Sequence, residues 1–520
     1  MKRIFLFASL TALATAAYAG GPRYVAGTSY FDPSMTGKPV VWATSGPVKF
    51  YLDLGNLSAA VSESEADAMV IAAANVWDVV PTAAVAVIYG GRLAEDVNGT
   101  NVTASGGTLT VPADIESSDT ARPIGIVYDA DGSVINAFFG QGASSPNTCQ
   151  RDGGFAIVDN LSISGNIVHA LMLINGLCAT SAANIFVLQY QLVRAFGEIL
   201  GLGWSQTNEE MFADKEPTAP GLQGWPIMHP MELLCSGSGE SCMPNGTTLR
   251  SDDIAALNRL YPVTSANISN FKGKELTAPN TISVTGTITF RNGQGMQGVN
   301  VVLRPMIPGT DIPDVRYMVT AVSGVYFCGN AGNLVTGYSD ASGNPLAKFG
   351  SDDTSLEGYF DLSGVPIPPG ETQDTWQLSF EPINPMYTGP DSVGPYTTGQ
   401  VTPSGTLPAI ALPNLAAGSS VIENVSVGNS AGDSLSGDDG VISAPVTVPP
   451  SGEWTARLAG YGHISWLEWW AKADREFTVE AEALDDSGNP TLNKAQIVLR
   501  HVERYRQYYR FSRHDDDAAL

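Results

Sequence analysis

The residues whose types could do chemistry cluster at the end of one predicted helix. Arg194 and Glu198 are four positions apart, so they share a helix face on which a cation and a carboxylate can pair. Gly201 then lets the chain leave the helix, and Trp204 follows it. A catalytic zinc needs three neutral or anionic ligands aimed at one point, and only Glu198 among these residues can supply one.

The spacing of this segment resembles the zinc-binding helix of matrixin-type metzincin peptidases. Their signature is H-E-x-x-H-x-x-G-x-x-H, followed later by a Met-turn. The positions of its three histidines are held here by Arg194, Glu198 and Trp204. Ala195 stands in the place of the general base, Gly201 matches the glycine, and Met228 matches the Met-turn. The resemblance implies a metzincin scaffold whose chemical residues have been replaced.

These replacements remove the zinc ligands and the proton acceptor together. Arg194 is a permanent cation that can neither ligate nor deprotonate, and Trp204 offers only an N–H donor. Without a carboxylate at Ala195, a bound water also lacks the base that typically contributes a factor of about 10² to 10⁴ in rate. We therefore expect no zinc, no other cofactor and no catalytic residue, which describes a pseudo-peptidase.

A structural role is the first expectation for the replacing residues. Arg194 and Glu198 should pair within the degenerate cleft, and Trp204 should fill the volume that metal and imidazole would otherwise take. The alternative is that all three side chains are simply exposed to solvent.

Two of the histidines are candidates for a metal site of another kind. The chain has five of them, and none shows a short metal-type spacing. His169 lies in an apolar run, which is typical of a core or strand histidine, whereas His229 directly follows Met228 and could face the cleft. The alternative function is therefore a secreted zinc metalloendopeptidase with a non-standard site built from Glu198, His229 and His169.

Other segments extend the resemblance over roughly residues 22–262, within a first domain at 20–265. Ser62 and Glu65 form a capping box before an apolar helix face, which is similar to the first long helix of a matrixin domain. Segments 85–89 and 124–128 read as sheet strands. Segment 249–262 is similar to the closing helix of that family. The resemblance thus implies an α+β domain.

Beyond this domain the pattern becomes all-β. Alternation in 282–290 and 299–303, around a Gly-rich turn, predicts a β-meander. Together with 358–365 and 368–370, the region 275–415 resembles the carboxypeptidase regulatory-like module, a small sandwich related to transthyretin. That resemblance implies a non-catalytic spacer or binding unit, with an insertion in 306–349.

The last part of the chain divides into a linker at 416–450, rich in glycine, serine and aspartate, and a partial jelly-roll-like domain at 451–520. Three tryptophans of that domain either stack on carbohydrate or pack in its core: Trp466, Trp469 and Trp470. Five arginines crowd into 499–513, which indicates a basic arm or a truncated domain, and we favour truncation. The expected architecture is multidomain, with an α+β metzincin-like domain followed by all-β sandwich domains.

The five cysteines suggest disulfides in an exported chain. Cys235 and Cys242 bracket a Gly/Ser loop and can close it, and Cys149 and Cys178 make the natural second pair. Cys328 is then the odd one, either a buried thiol or the site of an intermolecular bond. A structural zinc site of four cysteines is disfavoured, because no C-x-x-C spacing occurs.

Composition and the first residues indicate export. Residues 1–19 have a basic start, an apolar stretch and an A-x-A site, which predicts a signal peptide, and no other stretch is apolar enough to span a bilayer. The net charge of −25 argues against nucleic acid as a partner. We expect a secreted or cell-surface binding protein whose ligand is a peptide, a protein or a carbohydrate.

Overall fold

The computed structural model describes residues 21–149, 153–205, 223–229, 247–290, 293–328, 348–381, 409–426 and 446–449, with three further short strands. Those strands are Leu467–Glu468, Arg500–His501 and Arg510–Phe511. Several predictions lie outside the described residues: the signal peptide, the Cys235–Cys242 disulfide, the side chains of Trp466, Trp469 and Trp470, and most of the last domain. Within them, no helix is long and apolar enough to cross a membrane.

The first half of the chain is organised by one six-stranded mixed sheet. Its strands are β1 (Val41–Trp42), β2 (Val48–Leu52), β3 (Val87–Arg92), β6 (Ile124–Asp129), β7 (Gly154–Leu161) and β8 (Asn166–Asn175). Between β3 and β6 lies a hairpin of β4 (Thr103–Ser105) and β5 (Thr108–Thr110). Strands β3, β2, β6 and β8 are parallel neighbours in that order, and β7 runs antiparallel to β8. Buried residues of β6 and β8 form the centre of the sheet.

Five α-helices are present in the described residues. They are α1 (Glu63–Asp78), α2 (Ser133–Phe139), α3 (Ala182–Ile199), α4 (Ser251–Leu260) and α5 (Thr277–Asn280). The predicted capping box is confirmed, since Ser62 N donates to Glu65 Oε2 over 2.9 Å at the start of α1. Helix α1 packs on α3, where Trp77 Nε1 donates to Val193 O over 2.9 Å. The apolar faces of both helices therefore cover one side of the sheet.

The second half of the described chain is a pair of β-sheets around their own apolar core. Their strands are β9 (Ile282–Thr289), β10 (Asn300–Pro305), β11 (Val319–Val322), β12 (Tyr359–Val365), β13 (Gln373–Glu381), β14 (Ile410–Ala416), β15 (Ser420–Ile422) and β16 (Val425–Ser426). One sheet has the order β11, β10, β13, β14, and in the other β9 pairs with β12, β15 and β16. A short pair of β17 (Val446–Thr447) with 467–468 lies beyond them. The protein is thus multidomain, with many sheets and few helices.

Two details of the β prediction were wrong. Strands β9 and β10 do not form a meander, because they belong to different sheets. The Gly-rich turn folds onto β9 alone, where Phe290 N donates to Gln294 O over 2.8 Å, and the chain then crosses to the other sheet. Residues 416–426 are also not a linker, since β15 and β16 pair in parallel with β9.

Helix α4 packs directly against the β-sandwich. Asn258 Nδ2 donates to Gly364 O over 2.8 Å, and Arg259 Nη1 donates to Asp361 O over 2.8 Å. Asp252 accepts a hydrogen bond from Thr320 N over 2.6 Å. Gly364 has φ +75°, and a Cβ atom there would lie 2.5 Å from Asn258 Cβ. The interface therefore depends on a close approach that only glycine permits.

Gly364→Ala tests this interface. A positive φ costs alanine about 1–2 kcal/mol, and the collision with Asn258 adds about 1–3 kcal/mol of overpacking. Gly370→Ala is the matched control, because Gly370 also has a positive φ (+87°) but nothing within 4 Å of the added atom. In urea unfolding, we expect Gly364→Ala to lose clearly more stability than Gly370→Ala. Equal losses would mean that the close contact does not limit packing at α4.

Candidate functional site

Helix α3 carries Arg194, Ala195 and Glu198 and is fixed at both ends. Ser181 Oγ accepts from Asn184 N at its start, over 3.3 Å. At its end, Gly201 has φ +82° and turns the chain away. Near that end Gly197 lies against Met228 and Trp77, and a Cβ there would come within 2.7 Å of the Trp77 ring. The helix, α1 and the turn at Met228 are therefore in tight contact.

Arg194 is buried, with 7% of its surface exposed. Its Nη2 donates to His229 O over 2.8 Å. Its guanidinium carbon lies 4.7 Å from the centre of the Trp204 ring and 5.6 Å from that of Tyr190, so the cation contacts two electron-rich faces. Trp204 is half-buried and packs against the core. The alternative that Arg194, Glu198 and Trp204 are all simply exposed is wrong, since Arg194 and Trp204 contact each other and only 18% of the Glu198 side chain is exposed.

Glu198 pairs with Arg23 rather than with Arg194, so the predicted pair within the helix was also wrong. Arg23 arrives on an N-terminal segment that runs beside the end of α3. In this segment Arg23 N donates to Gly201 O over 2.7 Å, and Gly203 N donates to Gly21 O over 2.9 Å. Arg23 and Glu198 are 175 residues apart in the chain, so no local sequence pattern could predict their contact.

The turn at Met228 is held by a carboxylate that the sequence analysis did not single out. Asp253 accepts hydrogen bonds of 2.9 Å from the N–H groups of Ile227, Met228 and Arg250. Burial raises the pKa of Asp253 to about 6, although these backbone N–H groups favour its charged form. In the sequence, Asp253 is marked only by its position in the first turn of α4. That position predicts helix capping and does not predict the hydrogen bonds to the Met228 turn.

The two candidate histidines have other partners. His229 is buried, with its ring centre 3.9 Å from that of Trp225. His169 is also buried, and its Nδ1 lies 2.6 Å from Asp159 Oδ1. Among the residues that the structure describes, no three histidine, cysteine, aspartate or glutamate side chains are grouped to hold a metal ion. The alternative site of Glu198, His229 and His169 is therefore not assembled in this part of the chain.

The donor set of the signature helix does not fit zinc either. Arg194 and Trp204 have no lone pair to give a metal, and Ala195, also buried, brings no base. The remaining carboxylate, Glu198, already faces the guanidinium of Arg23. No hydrolytic step through a metal can be built on these residues.

A disulfide joins the approach to β7 to the start of α3. Cys149 and Cys178 are bonded, with Cα atoms 5.2 Å apart, which confirms the predicted pair. Gln191 of α3 continues this link, because its Nε2 donates to Cys149 O over 3.0 Å and its Oε1 accepts from Gly153 N over 2.7 Å. Cys328 lies elsewhere, half-buried, with its backbone N donating to Ser351 O over 2.8 Å.

Strand β7 is an edge of the first sheet and lies beside α3. It pairs with β8 on one side, and no strand of the described chain pairs with its other side. Its residues are mostly half-buried, including Phe155 and Ile157, which pack on one face of the sheet, and Ala156 and Val158, which pack on the other. An edge of this kind can accept hydrogen bonds from, and donate them to, an extended peptide.

Comparison with known proteins identifies no family. No protein-family model matches the chain, and no curated protein matches it. Among solved structures, a match titled "Structure of the Streptococcal ancillary pilin" is 11% identical, with a TM-score of 0.14. It covers 32% of this chain and 38% of the pilin chain. At that TM-score the likeness carries no argument about fold or function.

Asp253→Asn tests the anchor beneath the Met228 turn. The folded-state pKa of Asp253, about 6, lies above the ordinary 3.8. The carboxyl group's contribution to stability is therefore fully present below about pH 4 and is lost as the pH rises through about 6. We expect the unfolding free energy of the parent minus that of the variant to fall by about 1.4 kcal/mol per pH unit across this window.

Urea unfolding of both proteins at a series of pH values measures this difference. The asparagine has no titratable proton, so the titrations of groups that do not interact with Asp253 cancel. A difference that stays level, or rises with pH between these limits, would contradict the buried position of Asp253.

Proposed function

We propose that this chain is a secreted, multidomain binding or surface protein whose first domain is a matrixin-type pseudo-peptidase. In this proposal the first domain binds extended peptides without cutting them. The carboxypeptidase regulatory-like sandwich is a spacer or binding unit with no catalytic role. The contact that carries the proposal is Arg194 stacked on Trp204, at two of the three positions where the signature has histidines.

The scaffold around that contact supports the proposal. A long helix ends at Gly201 with a left-handed glycine, and Met228 lies beneath Gly197 of the same helix. A closing helix, α4, follows and anchors the turn through Asp253. These elements occur in the order that the resemblance implies, and each contributes packing or hydrogen bonds, whereas none contributes a metal ligand.

Peptide binding rests on the edge strand β7. Extended peptides bind sheet edges through main-chain hydrogen bonds, and pockets for alternate side chains add specificity. Phe155 and Ile157 offer half-buried apolar surface on one face of that edge. The disulfide Cys149–Cys178 lies near this edge in the chain, and Gly153, directly before β7, donates its N–H to Gln191 Oε1. This end of the edge is therefore held in place before a peptide arrives.

Export also belongs to the proposal. The signal-peptide pattern at residues 1–19, the strong negative charge and the disulfide all suit a protein outside the cell.

Restoring the signature tests whether these positions surround one site. The restored protein carries Arg194→His, Ala195→Glu, Glu198→His and Trp204→His. Arg23→Gln is added to both the restored and the parent protein, because Arg23 would otherwise face the new ligands without its carboxylate. Three imidazoles should then converge, and we expect one zinc per chain with a Kd below about 1 µM, equivalent to about −8 kcal/mol.

The control is the same protein with Trp204 left unchanged, which has one imidazole fewer and should bind zinc at least about tenfold more weakly. Zinc content after gel filtration and competition with a chromogenic chelator give the affinities, and circular dichroism verifies folding. If the restored protein folds but binds zinc no better than its Trp204 control, the four positions do not face one site and the metzincin assignment fails.

A further inference from the structure

The main-chain groups along the open side of β7 can be assigned from its ladder with β8. Asn175 N donates to Gly153 O, so the hydrogen-bonded pairs of this antiparallel ladder fall at residues 153, 155 and 157 of the edge. The N–H and C=O groups of Gly154, Ala156 and Val158 therefore point away from β8. No strand of the described chain pairs with them there, so an added strand could bond to these three residues.

This stretch of β7 lacks the features that usually protect an open edge. Residues 154–158 read Gly-Phe-Ala-Ile-Val, with no charge and no proline, and such a segment is prone to pair with another strand. The ladder becomes irregular at Asp159, a bulge residue whose Oδ1 lies 2.6 Å from His169 Nδ1. The bulge ends the regular edge, so a bound strand would lie along residues 154–158.

An aromatic surface lies beside this edge, on the side of the sheet that α2 covers. Phe155 stacks on Phe139 of α2, with ring centres 4.9 Å apart, and Phe138 lies 6.3 Å from Phe139. Ile157 packs against the same apolar cluster. All four side chains are half-buried. Apolar side chains of an added strand would bury the remaining surface of these groups.

Asp159 adds a negative charge at one end of this surface. It is the exposed residue of β7, and by alternation along the strand it lies on the same side of the sheet as Phe155 and Ile157. The whole chain carries a net charge of −25. A second copy of this chain would therefore be repelled, whereas a basic side chain beside Asp159 would be attracted.

We propose that β7 binds an extended peptide in which a basic residue is followed, at every second position, by two apolar residues. This inference rests on the peptide-binding function proposed above. In an antiparallel peptide, the residues opposite Ile157 and Phe155 occupy non-hydrogen-bonded pairs, where side chains of the two strands lie closest. The apolar residues take these two places in that order. The basic residue, two positions earlier in the peptide, then reaches Asp159.

Three end-blocked heptapeptides test this pattern by isothermal titration calorimetry with the mature full-length protein. The first, Thr-Lys-Thr-Val-Thr-Phe-Thr, should bind with a Kd below about 100 µM. The second has Glu in place of Lys and should bind about tenfold more weakly, because repulsion replaces attraction. The third, Thr-Lys-Val-Thr-Phe-Thr-Thr, has the same composition but puts the lysine and the apolar pair on opposite faces. It should bind about fivefold more weakly.

N-methylation of the first peptide tests the main-chain hydrogen bonds. The N–H of the threonine between valine and phenylalanine faces Ala156, whereas the N–H of the phenylalanine points away from β7. Methylating the threonine nitrogen should weaken binding about tenfold. Methylating the phenylalanine nitrogen is the matched control and should have a much smaller effect.

Variants of the protein assign the binding to β7. Ala156→Pro removes an outward N–H from an edge that can accommodate proline, and it should abolish binding. Asp159→Asn should bring the affinities of the lysine and glutamate peptides to within about twofold of each other, and Phe155→Ala should weaken binding about fivefold. Asp352→Asn, at an exposed acid of the sandwich, should change nothing. Circular dichroism verifies folding, and if Ala156→Pro fails to fold, the two methylated peptides still decide the test.

The outcomes separate this proposal from the function on which it rests. Equal binding of all three heptapeptides, lost in Ala156→Pro, would refute the sequence pattern and leave peptide binding at β7 intact. No binding of any peptide would refute both. Binding that Ala156→Pro leaves unchanged would lie elsewhere on the protein and would overturn the proposal. So would a dimer in sedimentation experiments that Ala156→Pro converts to a monomer, because a second copy would then occupy the edge.

Discussion

A buried guanidinium is the constraint around which the signature helix is arranged. Arginine keeps its charge at any pH at which the protein is folded, so a buried Arg194 must be surrounded by electron-rich groups. The Trp204 and Tyr190 rings and the His229 carbonyl oxygen supply them. These groups come from α3, from the segment after it and from the Met228 turn. One cation thereby contacts three separate segments of the first domain.

Burial and local signals explain which predictions succeeded. The capping box of α1, helix α4 and the Cys149–Cys178 disulfide follow from neighbouring residues, or from cysteine pairing in an exported chain, and the structure confirms them. The predicted Arg194–Glu198 pair failed, because helix spacing describes only local partners. Arg23 reaches Glu198 from the far end of the chain, and a buried Arg194 gains more from aromatic rings and a carbonyl oxygen.

The β half shows the same limit of local patterns. Strands β9 and β10 were placed correctly, yet alternation cannot tell which sheet a strand joins. Both half-buried β9 and fully buried β10 face the core of one sandwich from opposite sheets. Two buried hydrogen bonds join α4 to the sandwich: Asp252 accepts from Thr320 N, and Asn258 Nδ2 donates to Gly364 O. Neither had a sequence signal. They join the two halves of the described chain through one helix.

The central proposal is that Arg194 and Trp204, in contact with each other, stand where the metzincins that this segment resembles would bind zinc. Elemental analysis of the purified mature protein, combined with thermal unfolding with and without a strong chelator, tests it most directly. We expect no stoichiometric zinc and an unchanged melting temperature, because a structural zinc of usual strength would contribute on the order of 10 kcal/mol to folding. One tightly held zinc per chain, with a melting temperature that falls when chelator is added, would contradict the account.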